Sequence, residues 1–170
     1  MVKINLCGIR LENFINIDVS WSADKRVDLE KKRIPMKDGS VDVLICMSAI
    51  NYFTLDRAQF LIKDVYRVLK PKGWCRFGTQ DLELIADKYL QGDSDFTCHR
   101  INRWFGNGDG YKASGKICKY VYDYDTLSKL FVLAGFGVIW QVQYQMDRSP
   151  HSLGQYDNRE QEMLYLEAVK

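Results

Sequence analysis

Long apolar runs are missing from this sequence. No stretch approaches the ~20 consecutive apolar residues a membrane-crossing helix needs, which excludes a transmembrane protein of that type. Metal-binding patterns are missing too: the two histidines, His99 and His151, stand far apart, and Cys7, Cys46, Cys75, Cys98 and Cys118 show no CxxC spacing. No structural zinc site is expected, and an odd cysteine set of this kind reads as reduced thiols, mostly core filler, in a cytoplasmic protein. There is no excess of one charge. With 24 Lys+Arg against 22 Asp+Glu, the net +2 is too small to imply a nucleic-acid or membrane-surface partner by itself. Met1 to Leu6 runs straight into a strand-like pattern with no signal-peptide architecture. What remains is 170 residues, 46% of them hydrophobic, enough for one domain that buries roughly two-thirds of its unfolded surface.

The periodicities alternate between strand and helix. Val2–Leu6 and Phe14–Asp18 alternate apolar and polar residues, and Val41–Cys46 is a nearly unbroken apolar run, as in a strand buried on both faces. Thr54 is placed to cap a helix in which Ala58, Leu61, Ile62, Val65, Tyr66 and Leu69 recur at helical spacing, ended by Lys70-Pro71-Lys72-Gly73. A strand over Trp74–Thr79 follows, then a helix opened by Gln80 or Asp81. A further helix runs from Asp123 to Ala134 with Gly135 after it, and strands over Val138–Tyr144 and Met163–Val169 close the chain. This order predicts a three-layer α/β/α sandwich, Rossmann-like, with a mostly parallel sheet and an antiparallel C-terminal strand.

Open α/β sheets bind ligands beyond the carboxyl ends of their strands. That rule selects Cys7-Gly8, Asp18-Val19, Asp28-Leu29, Met47-Ser48 and Gln80-Asp81. An acid such as Asp18, ending the second strand, accepts hydrogen bonds from ribose hydroxyls in nucleotide-type folds; a solvated strand-end aspartate is the plain alternative. Gly8 either lets backbone approach a ligand or makes a tight turn.

Asn5-Leu6-Cys7-Gly8, Phe14-Ile15-Asn16-Ile17-Asp18, Val27-Asp28-Leu29, Ile34 to Asp42, and Tyr66 to Gly73 occur in that order, and Leu133-Ala134-Gly135-Phe136 precedes the final strands. In these segments the chain resembles the class I S-adenosylmethionine-dependent methyltransferases, of the small type that starts at the first strand. The resemblance covers most of the single domain 1–170, apart from residues 91–120, a variable insertion or lid region. It implies S-adenosylmethionine as cofactor and a small-molecule acceptor. Cys7 and Gly8 match the loop against the methionine moiety, Asp18 the acid on the ribose hydroxyls, Asp28 and Leu29 the pair beside the adenine, and Met47 and Ser48 the segment lining the methyl-transfer pocket. Relatives carry more glycines in the first loop, where this chain has Leu6-Cys7-Gly8, and other residues where it has Ser48 to Tyr52 and Gln80-Asp81. Those departures motivate an alternative of another class, a catalytically degenerate relative acting as a binding or regulatory module.

One spacing is informative without the resemblance. Only Ile9 to Asn13 separate the first two strands, whereas a helical crossover between parallel neighbours takes a dozen residues or more. Five residues reach ~17 Å, enough to return along a short strand, so the first helix is expected to be reduced or absent. The consequence favours a sulfonium cofactor over a dinucleotide, whose phosphates rely on a helix N-terminus.

Other signals carry less. Gly106-Asn107-Gly108-Asp109-Gly110 lacks the strand-before, helix-after context of a phosphate loop. From His99 to Lys119 five basic residues face one acid, which suggests either a rim favouring an anionic acceptor or a solvated loop. Tyr120, Tyr122 and Tyr124 read as a strand-like entry to the next helix. Asp81 is the candidate catalytic acid/base or substrate-orienting group, with helix capping as its other reading, and His151 is a lesser candidate base.

Overall fold

The computed structural model describes residues 1–104, 117–160 and 162–170. Its strands are β1 (Lys3–Leu6), β2 (Ile15–Asp18), β3 (Lys25–Arg26), β4 (Val41–Met47), β5 (Leu69–Gln80), β6 (Val138–Val142) and β7 (Met163–Val169). Its α-helices are α1 (Leu55–Val68), α2 (Leu82–Leu90), α3 (Ser94–Trp104) and α4 (Tyr124–Ala134). One seven-stranded sheet runs in the order β3-β2-β1-β4-β5-β7-β6, parallel except for β7, which is antiparallel to both neighbours. The expected Rossmann-like order and antiparallel last strand are present. No helix among the described residues is long and apolar enough to cross a membrane.

Local chemistry sets the helix ends. The Thr54 side chain accepts from the Arg57 amide at the start of α1, and Asp123 accepts from the Thr126 amide at the start of α4. Gly135, at φ +106°, closes α4 in the left-handed conformation that costs a Cβ-bearing residue strain. Where Lys70–Gly73 reads as a terminator, α1 does end at Val68, but the chain goes directly into an extended β5. Leu69 pairs with Val41, and an irregularity between Val41 and Val43 absorbs the intervening residues before Trp74 pairs with Val43.

The two sheet faces differ. On one, Ile4, Leu6, Leu44, Cys46, Cys75, Phe77, Leu164 and Leu166 pack against Ala58, Leu61, Ile62 and Val65 of α1 and Leu127, Leu130 and Phe131 of α4. On the other, the crossovers after β1 (residues 7–14) and after β2 (residues 19–24) contain no helix, as the short spacing predicts. That face is covered by the segment between β6 and β7, whose 3-10 turn Leu153–Tyr156 packs with Phe14, Val43, Ile45, Met47 and Tyr165.

A polar row lies under this cover. The register places Asn16, Asn5, Ile45, Arg76, Glu167 and Trp140 side by side across the sheet. Arg76 and Glu167 are fully buried, so each needs partners to offset its desolvation. Arg76 donates through Nε to Asp157 at 2.8 Å, through a second nitrogen to the other Asp157 oxygen at 2.5 Å, and to Glu167 at 2.8 Å. It also donates to the Met146 carbonyl at 2.9 Å, while Glu167 accepts from the Arg148 and Ser149 amides. Charged side chains thus pin the β6–β7 segment to the sheet where helices are absent.

Candidate functional site

The chain leaves β1 toward β2 and β3 on one side and returns to β4 on the other, so the crevice opens at the ends of β1 and β4. A cavity of about 590 Å³ lies there. Its wall holds Cys7, Gly8, Asp18, Asp28, Leu29, Met47 and Ser48, all seven residues expected to meet a cofactor. They come from four strand ends or the turns after them, those of β1, β2, β3 and β4, which is how parallel strands bring residues 41 positions apart in sequence into one crevice.

The backbone is shaped for close approach. Cys7 and Ser48, following β1 and β4, have φ of 51° and 54°, a region side-chain-bearing residues occupy at a cost. The Cys7 amide donates to the Ile17 carbonyl at 2.9 Å and the Ser48 amide to the Gly78 carbonyl at 2.8 Å, so both turns are held by neighbouring strands. A Cβ on Gly8 would meet the Met47 carbonyl oxygen at 3.6 Å. Asp18 and Asp28 each accept from the amide two residues on (Ser20 and Glu30), which fixes the two carboxylates at the rim while leaving acceptor capacity.

The rest of the wall includes residues from segments the sequence flags, Ser48 to Tyr52 and the basic stretch ending at Lys119, and also Phe53, Asn158 and Arg159, which it does not. Tyr52 and Phe53 enter from the turn after β4, Ile117 and Lys119 from the segment before α4, and Asn158 and Arg159 from the β6–β7 segment. Among the described residues, Lys119 is the member of the basic stretch that lies in the wall, with its ammonium paired to Glu30. Lys112, Lys116 and the glycines at 106–110 lie outside the described residues. Asn158 and Arg159 carry no local signal; what brings them here is the buried Arg76–Asp157 pair next to them in the chain.

Asp81 sits elsewhere. It is not in the wall of this cavity: its carboxylate caps α2, accepting from the Glu83 and Leu84 amides at 3.0 and 3.4 Å. Burial raises its pKa, against the opposing pull of those two amides. His151, in the β6–β7 segment, is outside the wall as well; its backbone amide donates to the Ser149 hydroxyl.

Residues 13–77 match the family described as a methyltransferase domain. No curated protein matches the sequence. Among solved structures, the chain resembles a SAM-dependent methyltransferase from Thermotoga maritima (TM-score 0.62, 19% identity, covering 99% of this chain and 82% of that one). It resembles an S-adenosylmethionine dependent methyltransferase from Mesorhizobium loti to a similar degree (0.62, 14% identity, 99% and 90% covered). A third, from Listeria monocytogenes, has a TM-score of 0.57 at 15% identity, with 99% and 91% covered. The chain therefore has the class I S-adenosylmethionine-dependent methyltransferase fold.

Proposed function

We propose that this chain, built on the class I methyltransferase fold, binds S-adenosylmethionine in the cavity at the ends of β1 and β4 and transfers its methyl group to a small-molecule acceptor. The observation that carries the reading is the gathering of Cys7, Gly8, Asp18, Asp28, Leu29, Met47 and Ser48 around one cavity. Their donor chemistry suits the group: acceptor carboxylates at 18 and 28 for a diol and an amino group, apolar Leu29 and Met47 for a purine face and an alkyl chain, and open backbone at Gly8. When bound, the cofactor supplies an electrophilic methyl on a sulfonium.

The chain's own contribution is alignment and exclusion of water. Tyr52, Phe53 and Ile117 give the opposite wall apolar surface.

Calorimetric titration of S-adenosylmethionine and S-adenosylhomocysteine tests the reading. Wild-type protein is expected to bind both, and Asp18→Asn to weaken both by about 10- to 100-fold, the scale of losing charge-assisted hydrogen bonds. A folded chain that binds neither ligand would be the non-catalytic binding module instead.

A further inference from the structure

Strand order fixes the order of groups along the cavity. Asp28 follows β3, Asp18 ends β2, Gly8 follows β1 and Ser48 follows β4. Beyond Ser48 the wall changes origin: Asn158 of the β6–β7 segment donates its side-chain amide to the Ser48 hydroxyl at 3.3 Å, and Arg159 stands next to it. A nucleoside laid with its purine at Asp28 and its ribose at Asp18 points its sulfur substituent past Gly8 and Ser48. In S-adenosylmethionine that substituent ends in an ammonium and a carboxylate.

A carboxylate moved from water into a crevice needs a cation or several N–H donors to offset its desolvation. A helix N-terminus following β1 would supply them, but residues 7–14 contain no helix. The described wall holds two cations. Lys119 is paired with Glu30, at the purine end. Arg159 is at the other.

We propose that Arg159 binds the amino-acid carboxylate of the cofactor, so that this charge comes from the β6–β7 segment and not from the turn after β1. The proposal rests on the cofactor reading of the cavity given above. Arg159 is well anchored for the task. Asp157 before it is clamped by buried Arg76, its own amide donates to the Tyr165 hydroxyl at 3.1 Å, and its carbonyl accepts from that hydroxyl at 2.7 Å. One guanidinium nitrogen donates to Glu162 at 2.7 Å, and Glu162 is buried. A guanidinium presents five N–H donors in a planar fork, a geometry suited to engaging more than one carboxylate.

The test compares S-adenosylhomocysteine with methylthioadenosine, which shares the nucleoside and sulfur but lacks the amino acid, by calorimetry. Arg159→Met is expected to weaken S-adenosylhomocysteine about 10- to 100-fold and leave methylthioadenosine unchanged. Arg159→Lys, which keeps the charge but not the planar fork, is expected to lose less. The methyl ester of S-adenosylhomocysteine reports without any variant, and its affinity for the wild-type chain should fall by a similar factor. Equal weakening of both ligands by Arg159→Met, or weakening of neither, overturns the assignment and leaves the cofactor reading standing. Failure of the wild-type chain to bind either ligand removes the cofactor reading itself.

Discussion

Asn5 donates its side-chain amide to the Asn16 side-chain oxygen at 3.0 Å, two buried residues directly opposite each other on β1 and β2, on the face that the first crossovers leave without a helix. Asn16 does more than pair. Its oxygen also accepts from the Leu11 amide at 2.8 Å, and its amide donates to the Leu11 and Phe14 carbonyls, both at 3.0 Å. One side chain therefore satisfies the backbone of the shortened turn that carries Gly8. Asn16→Ala is expected to destabilise the fold by about 2–4 kcal/mol, the cost of several buried groups losing partners. Asn5→Ala, which removes fewer bonds, should cost less. Urea unfolding of both variants checks the ranking.

The same turn gives a pH dependence. Asp24 accepts from the Asn16 amide at 2.8 Å, from the Asn16 side chain at 2.9 Å and from Arg10 at 2.7 Å. These contacts, the Asn16 backbone foremost, lower its carboxyl from the usual 3.8 to about 2. A pKa lowered in the folded state gives stability that is complete above the unfolded value and lost as pH falls from about 3.8 to about 2. The stability difference between the wild-type chain and Asp24→Asn should therefore shrink across that window in urea midpoints measured stepwise from pH 5 downward. A difference constant over the window would show that the contacts do not favour the ionised form.

Arg76 and its two carboxylates form a second stabilising centre. Removing the cation alone, as in Arg76→Met, strands Asp157 and Glu167 in a buried position and is expected to cost about 3–5 kcal/mol. Replacing all three by apolar residues of similar volume should cost less, because no unpaired charge remains and what is lost is the acceptors of the Gln145, Arg148 and Ser149 amides. Hydrogen exchange supplies the local readout. Amides of residues 143–157 should lose protection in Arg76→Met before those of β4 and β5 do.

Most of the sheet was legible because its strands obey simple patterns. Val41–Cys46 could only be a buried strand, Thr54, Asp81 and Asp123 occupy the caps their chemistry favours, and the few residues between Leu6 and Phe14 already denied the first crossover a helix. The strand at Lys25–Arg26 was not legible: two charged residues have no periodicity, and only the edge of β2 makes them extended. Neither was the β6–β7 segment. Arg76, Asp157 and Glu167 carry no local sequence signal of burial, which rests on their pairing across 81 and 91 residues of sequence. The Asn158 and Arg159 part of the cavity wall was hidden for the same reason, whereas Asp18 and Ser48 follow from the strand ends and Asp28 from the resemblance of Val27-Asp28-Leu29.

Two glycines separate steric demands of different stiffness. A Cβ on Gly78 would meet the Met47 sulfur at 2.7 Å and the Met163 terminal methyl and Tyr165 ring at 2.9 Å, groups that can partly rotate away. A Cβ on Gly154 would meet the Gln145 backbone, with the carbonyl carbon at 2.7 Å and the oxygen at 2.8 Å, where no side-chain rotation gives relief. Gly78→Ala is therefore expected to cost about 1–2 kcal/mol, within the range for modest overpacking, and to weaken ligand binding because Met47 lines the cavity. Gly154→Ala should cost more, about 3 kcal/mol or above, since the turn Leu153–Tyr156 must lift from residue 145 and loosen the cover over the polar row. Thermal unfolding of the two variants, alongside cofactor titration of Gly78→Ala, tests the pair. Equal or reversed costs would mean that the β6–β7 segment lies loosely on the sheet, and the Arg76 clamp would then have little to hold.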